Sequence, residues 1–311
     1  MKKSLSIILA LIMALTLVTA AFAETYTLPS GAGTSTVYGP LTAYASIDSP
    51  NWGSGVPSVA TWKHNSWPVI GSTGAQWISS AYNTEQPVAV ASWRKFTTTQ
   101  PLCTGAYGVS VTVTATADNA EQVWINGIYA GGDGEVTGTS TDNQEWNTVK
   151  SYYSAILKTD QVVVDFIVRN YAYNTTSPQA NPTGLIYTIV VDYSCPVEVD
   201  IDIKPGSYPS CFNNDGSGVI PVAINGSASF DVNTVDPGSV TLGSLVVAVK
   251  GKSDKLMAAY EDWNMDGFLD LVLKMVDDDD TFSKGSGTAT INGSLYSGVP
   301  FYGTGDICIT Q

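Results

Sequence analysis

Basic residues are scarce in this chain, with 14 Lys and Arg against 28 Asp and Glu, and histidine occurs once, at His64. The first shortage excludes a protein that holds nucleic acid or anionic lipid, because such partners are gripped by clustered cations. The second leaves little for catalysis. A Ser-His-Asp arrangement would have to use His64, which lies between Lys63 and Asn65 in a tryptophan-rich stretch, and no G-x-S-x-G elbow occurs. A glycosidase carboxylate pair cannot be picked out by spacing in a chain of this kind, so His64 reads as a hydrogen-bonded structural residue and no enzyme is expected.

Long apolar runs are also missing after the first 23 residues. The chain opens with Lys2 and Lys3, an apolar run from Leu5 to about Ala20, and the small-residue pattern Ala21-Phe22-Ala23. This is the layout of a secretory signal peptide over residues 1–23, cleaved before Glu24. No later stretch approaches the ~20 apolar residues of a membrane span, and no cysteine follows the signal to accept a lipid. The expectation is an exported protein, extracellular or associated with the cell envelope, without membrane insertion. Cleavage leaves 12 basic against 28 acidic residues, a net charge of −16.

Cysteine is sparse, and no pair has the C-x-x-C spacing of a metal cluster. In an exported chain, Cys103, Cys195, Cys211 and Cys308 therefore predict two disulfides. Helical periodicity is lacking too. What is present instead are short β-branched or alternating runs, among them 109–114, 121–125, 162–168, 185–191, 197–203, 219–224 and 245–249, separated by Gly, Asn, Ser and Pro. These predict an all-β protein of two β-sandwich domains that meet near Cys195-Pro196. Asn126-Gly127 predicts a tight hairpin turn. If the run 109–114 lies antiparallel to 185–193, Cys103 falls near Cys195, which leaves Cys211 for Cys308.

The first half resembles the galactose-binding-domain-like jelly rolls of secreted microbial proteins. The resemblance is carried by Thr61-Trp-Lys-His-Asn-Ser-Trp67, Gly74-Ala-Gln-Trp-Ile-Ser79, Ala115-Thr-Ala-Asp-Asn119, Val123-Trp-Ile-Asn-Gly127 and Asn181-Pro-Thr-Gly-Leu-Ile-Tyr187. The second half, with Asp200-Ile-Asp-Ile-Lys-Pro-Gly-Ser207, Gly218-Val-Ile-Pro-Val-Ala-Ile224, Val235-Asp-Pro-Gly-Ser-Val240 and Glu261–Asp270, resembles a small calcium-loop β-domain that recurs in exported prokaryotic proteins. The domains expected are thus a jelly roll over 38–195 and a smaller sandwich over 196–311. Residues 24–37 precede them as a tail, or as a strand that adds to a neighbouring subunit's open sheet edge.

Carbohydrate binding or adhesion is what the jelly-roll resemblance implies. Glycans would stack on exposed aromatics; Trp52, beside Asn51 and Gly53, and Trp146, beside Asn147, are the candidates, while Trp77 and Trp124 read as core. The alternative is a homo-oligomer or polymer, a filament, sheath or surface layer built through the N-terminal strand. Three N-x-S/T sequons occur, at Asn174, Asn225 and Asn292. The last two stand in Asn-Gly turn dipeptides, so Asn174 is the glycosylation candidate.

The remaining motif is Glu261-Asp-Trp-Asn-Met-Asp-Gly-Phe-Leu-Asp270. Asp262, Asn264 and Asp266 stand at positions 1, 3 and 5 of a loop, Gly267 at the sharp turn, the Phe268 carbonyl at 7 and Asp270 at 9. That order gathers hard oxygen ligands for calcium. Position 12 is Leu273 rather than a glutamate, and Leu269, Leu271, Leu273 and Met275 alternate as one face of a strand. The loop is expected to be a structural calcium clip between strands; an acidic β-turn is the competing reading. The run Asp277–Asp280 reads as a solvated turn that could lend the ion a ligand.

Overall fold

A computed structural model describes residues 23–71, 73–82, 89–138, 145–252, 254–278 and 281–310. The proposed signal peptide lies outside them except for Ala23, as do Asp279 and Asp280. The described chain is all-β, its only helices being single 3-10 turns. None is long and apolar enough to cross a membrane. It divides into two compact units, one within Phe22–Cys195 and one within Pro196–Gln311.

The first unit is a sandwich of two six-stranded antiparallel sheets. One runs Lys150–Lys158, Tyr107–Asp118, Gly184–Ser194, Ile78–Ser79, Val59–Ala60, with Ala23–Pro29 also paired to Gly184–Ser194. The other runs Val56–Pro57, Thr36–Leu41, Ser92–Pro101, Gln161–Asn170, Ala120–Ile125, Ile128–Asp133. Alternation explains the core. Val109, Val111, Val113 and Ala115 point inward from one sheet and meet Phe96, Val123, Val164 and Phe166 of the other, all buried. Phe166 stacks on Tyr187 across the interior with ring centroids 5.1 Å apart. The Tyr187 hydroxyl is satisfied by the hydroxyls of Ser35 and Thr98, each at 2.8 Å. Asn126 and Gly127 both have positive φ, 47° and 76°, and join Ala120–Ile125 to Ile128–Asp133 as a tight hairpin.

The N-terminal segment is neither a loose tail nor a free donor strand. Ala23–Pro29 pairs with seven residues of Gly184–Ser194 in its own unit. Tyr26 stacks on Tyr193, and the Tyr193 hydroxyl donates to Glu24 at 2.6 Å. Thr36–Leu41 then joins the opposite sheet. Residues 24–37 are thus part of the first sandwich, because the edge they were expected to seek elsewhere exists in the same unit.

The second unit is a smaller sandwich. One sheet holds Val197–Glu198, Pro300–Ile309, Gly285–Ser294, Thr241–Leu242 and Leu245–Val246, with Cys211–Phe212 parallel to Pro300–Ile309. The other runs Ile201–Ile203, Val219–Ile224, Asp270–Val276, Ala258–Glu261. Leu271, Leu273 and Met275 are completely buried against Val222, Ile224 and Ile291. Leu269 departs from the expected alternation: it precedes the strand and is exposed. Disulfides join Cys103 to Cys195 and Cys211 to Cys308, one within each unit. Both place the chain in an oxidising compartment rather than the cytosol.

Candidate functional site

An open cleft of about 630 Å³ lies in the first unit where strands Tyr107–Asp118 and Gln161–Asn170 end. Its floor is built from Trp67, backed by the buried Trp77, and a carboxyl group. Trp67 stacks on Trp77 with centroids 4.1 Å apart, and the Trp67 indole N–H donates to Asp118 Oδ2 at 2.8 Å. Burial pushes the Asp118 carboxyl up to about 8, with the Trp67 hydrogen bond pulling it back down. At neutral pH this group is therefore mostly a neutral acid, able to donate as well as accept.

The walls are held by backbone-to-side-chain bonds. Asn119 Oδ1 accepts from Tyr171 N at 2.7 Å, Asn181 Nδ2 donates to Tyr171 O at 2.9 Å, and Thr183 Oγ1 donates to Asp118 O at 2.7 Å. These bonds fix the loop after strand Gln161–Asn170 against the end of Tyr107–Asp118. Trp146, half-buried, lines the cleft, and His64 meets Trp62 and Trp146 edge-on at 6.0 and 6.2 Å. His64 Nδ1 accepts the backbone N–H of Ser66 at 3.2 Å. Exposed Tyr173 and Gln179 complete the rim.

Of the two tryptophans singled out by their neighbours, only Trp146 reaches this cleft. Trp52 is a correction: it is 5% exposed, packs with Trp93, Ile167 and Tyr171, and donates its indole N–H to Ser46 O at 2.8 Å. Asn51 belongs to a 3-10 turn, Pro50–Trp52, that Gly53 caps and that folds the ring inward. Trp77 is buried and Trp124 half-buried. Asp118, Asn119, Tyr171, Tyr173, Gln179 and Asn181 were not anticipated as site residues. The one available signal was that Asp118-Asn119 and Asn181 stand inside the motifs of the jelly-roll resemblance. Asn174 is exposed, next to Tyr173 of the rim. The Asn225 amide, by contrast, donates to Asp200 at 2.7 Å.

In the second unit the loop Asp262–Asp270 turns sharply, with Met265 and Gly267 at φ 62° and 91°. Asp262 Oδ1 and Asn264 Oδ1 both accept the Asp266 N–H, at 3.0 and 2.9 Å, which brings the two oxygens together. Asp262 Oδ2 accepts Gly267 N, and Asp266 Oδ1 accepts Phe268 N. Each oxygen keeps a second lone pair, so Asp262, Asn264 and Asp266 fit a hard cation. Asp270 does something different. It is completely buried, and its oxygens accept Gly226 N at 2.9 Å and Trp263 N at 3.0 Å. It anchors the loop to the turn that follows strand Val219–Ile224. Among the described residues no three His, Cys, Asp or Glu side chains gather as a metal cluster, which agrees with Asp270 being turned away. Asp277 is also misplaced for the role of a lent ligand, because strand Asp270–Val276 separates it from this loop.

No protein family and no curated protein matches the chain. Among solved structures, it is similar to a GH2 β-galacturonidase from Eisenbergiella tayi bound to galacturonate, at 10% identity and TM-score 0.26 over 92% of this chain and 44% of that one. A Bifidobacterium dentium β-glucuronidase gives 10% identity and TM-score 0.28 over 91% and 48%. The CBM36-1 domain of a multidomain xylanase from the hindgut metagenome of Trinervitermes trinervoides gives 11% and 0.22 over 56% and 100%. This chain spans under half the length of the two enzymes. Likenesses at these scores carry no argument, so the functional reading rests on the chain's own residues.

Proposed function

We propose that this is an exported, non-catalytic glycan-binding protein whose ligand lies in the cleft of the first unit. The observation that carries this reading is the composition of that one cleft. Half-buried Trp146 and exposed Tyr173 offer apolar ring faces, while Asp118 and Gln179 offer hydrogen bonds to hydroxyls. Sugars need this pairing because each ring has apolar C–H faces and a polar rim. His64, held by Ser66 N–H and by aromatic edges, fills out the wall. In the second unit, Asp262, Asn264 and Asp266 hold calcium as a structural clip, with Asp270 as the buried anchor of the loop. Polymerisation by N-terminal strand addition loses its support, since Ala23–Pro29 is already paired within its own unit.

A glycan array probed with the wild-type chain and Trp146→Ala, alongside light scattering, tests the reading. Selective binding by a monomer that falls at least tenfold in Trp146→Ala is expected. Absence of glycan binding, or binding untouched by Trp146→Ala and Tyr173→Ala together, refutes it.

A further inference from the structure

The second unit has another cleft, of about 470 Å³, beside the Cys211–Cys308 disulfide and at the opposite end of strand Asp270–Val276 from the loop just described. We infer that it is a second hard-cation site, of the calcium class, built on Asp215 and Asp277. The inference is independent of the glycan reading.

Three observations carry it. First, two carboxylates converge on one amide: the Ser217 N–H is shared between Asp215 Oδ1 at 3.1 Å and Asp277 Oδ2 at 3.2 Å. Like charges placed this close repel, and a cation between them relieves that repulsion. Second, Asp277 is only 6% exposed, lines the cleft, and its Oδ1 is buried without a hydrogen-bond partner. A buried carboxylate oxygen is costly when nothing compensates it. Third, no basic side chain within ion-pair distance does so among the described residues. Lys204 is the one cation lining the cleft, and its ammonium donates to the Cys211 carbonyl instead.

The other groups suit a metal that prefers oxygen. Asn213 Oδ1, which accepts from Thr310 Oγ1 at 2.6 Å, lines the same cleft. Ser217 does too, so neutral oxygens stand beside the two anionic ones. Calcium takes six to eight such oxygens and tolerates irregular geometry, with water filling the remainder. An ion here would tie the segment between Cys211 and Val219 to the end of strand Asp270–Val276, next to Val219, which pairs with Val276.

The test is calcium-45 equilibrium dialysis on the chelator-stripped full chain, with circular dichroism to check folding. Asp277→Asn and Asp215→Asn should each remove one equivalent of bound calcium, or weaken it at least tenfold. Asp262→Asn with Asp266→Asn should leave that equivalent in place. Asp215 is exposed, so Asp215→Asn decides the matter if Asp277→Asn fails to fold. The inference is overturned if Asp215→Asn binds calcium as the wild type does. It is equally overturned if the wild type binds none, or if the loop variant abolishes all binding.

Discussion

Asp118 offers the sharpest test of the cleft, because its chemistry depends on burial rather than on any ligand. Burial pushes its carboxyl from an ordinary 3.8 up to about 8 in the folded protein. Between these values the unfolded chain releases the proton while the folded chain keeps it. Asp118 therefore favours folding fully below about pH 4, and that contribution is lost as pH rises toward 8. The slope is about 1.4 kcal/mol per pH unit, which accumulates to about 4 kcal/mol by pH 7. Asp118→Asn keeps the shape and an acceptor for the Trp67 indole N–H, yet has no proton to lose. Whatever fixed offset the amide introduces, the variant should gain on the wild type steadily from pH 4 to pH 8.

Urea unfolding followed by tryptophan fluorescence measures this directly. Seven of the eight tryptophans lie in the first unit, so the signal reports that unit. With a slope of about 2 kcal/mol per molar urea, the midpoint difference between variant and wild type should grow by about 2 M from pH 4 to pH 7. A difference that stays constant over this range refutes the reasoning. It would mean that Asp118 ionises as an exposed carboxylate does and that the floor of the cleft is wet.

Trp52→Ala should cost about 3–5 kcal/mol of stability in the first unit while leaving glycan binding per folded molecule intact, measured by urea midpoint and array signal together. In the loop Asp262–Asp270, proposed to hold calcium, Asp266→Ala should abolish most of the loop's calcium-dependent gain in melting temperature. Asp270→Ala should destabilise with or without calcium, by about 1–3 kcal/mol for each buried N–H left without an acceptor, and calorimetry in chelator separates the two. Each disulfide closes a long loop, with separations of 92 and 97 residues. Cys→Ser pairs should each lower stability by about 4–5 kcal/mol in the entropic account, confined to the unit that carries the bond.

The parts of this molecule that could be read from the chain are those governed by neighbours in sequence. Alternating runs gave their strands because the pleat puts every second side chain inward. Asn126-Gly127 gave its hairpin because both residues tolerate positive φ. Trp52 failed on the same footing: Asn51 and Gly53 describe a turn correctly but say nothing of what the turn faces. The cleft was illegible for a related reason. Trp146, Asp118 and Gln179 are brought together only by strands from distant parts of the chain, and no spacing encodes that meeting.

Asp277 stands between these cases. A run of four aspartates reads as solvated because mutual repulsion normally drives such a run into water. Yet Leu271, Leu273 and Met275 define the buried face of their strand, and Asp277 is the next residue in that phase. The alternation does not stop where the hydrophobic residues stop. Val219 pairs with Val276, and the Asp277 N–H donates to Gly218 O at 3.3 Å, so the next side chain inherits the inward direction. A carboxylate carried inward by strand geometry requires a donor or a cation. Ser217 N–H engages one of its oxygens. The other is the strongest reason to expect a metal at this end of the sheet.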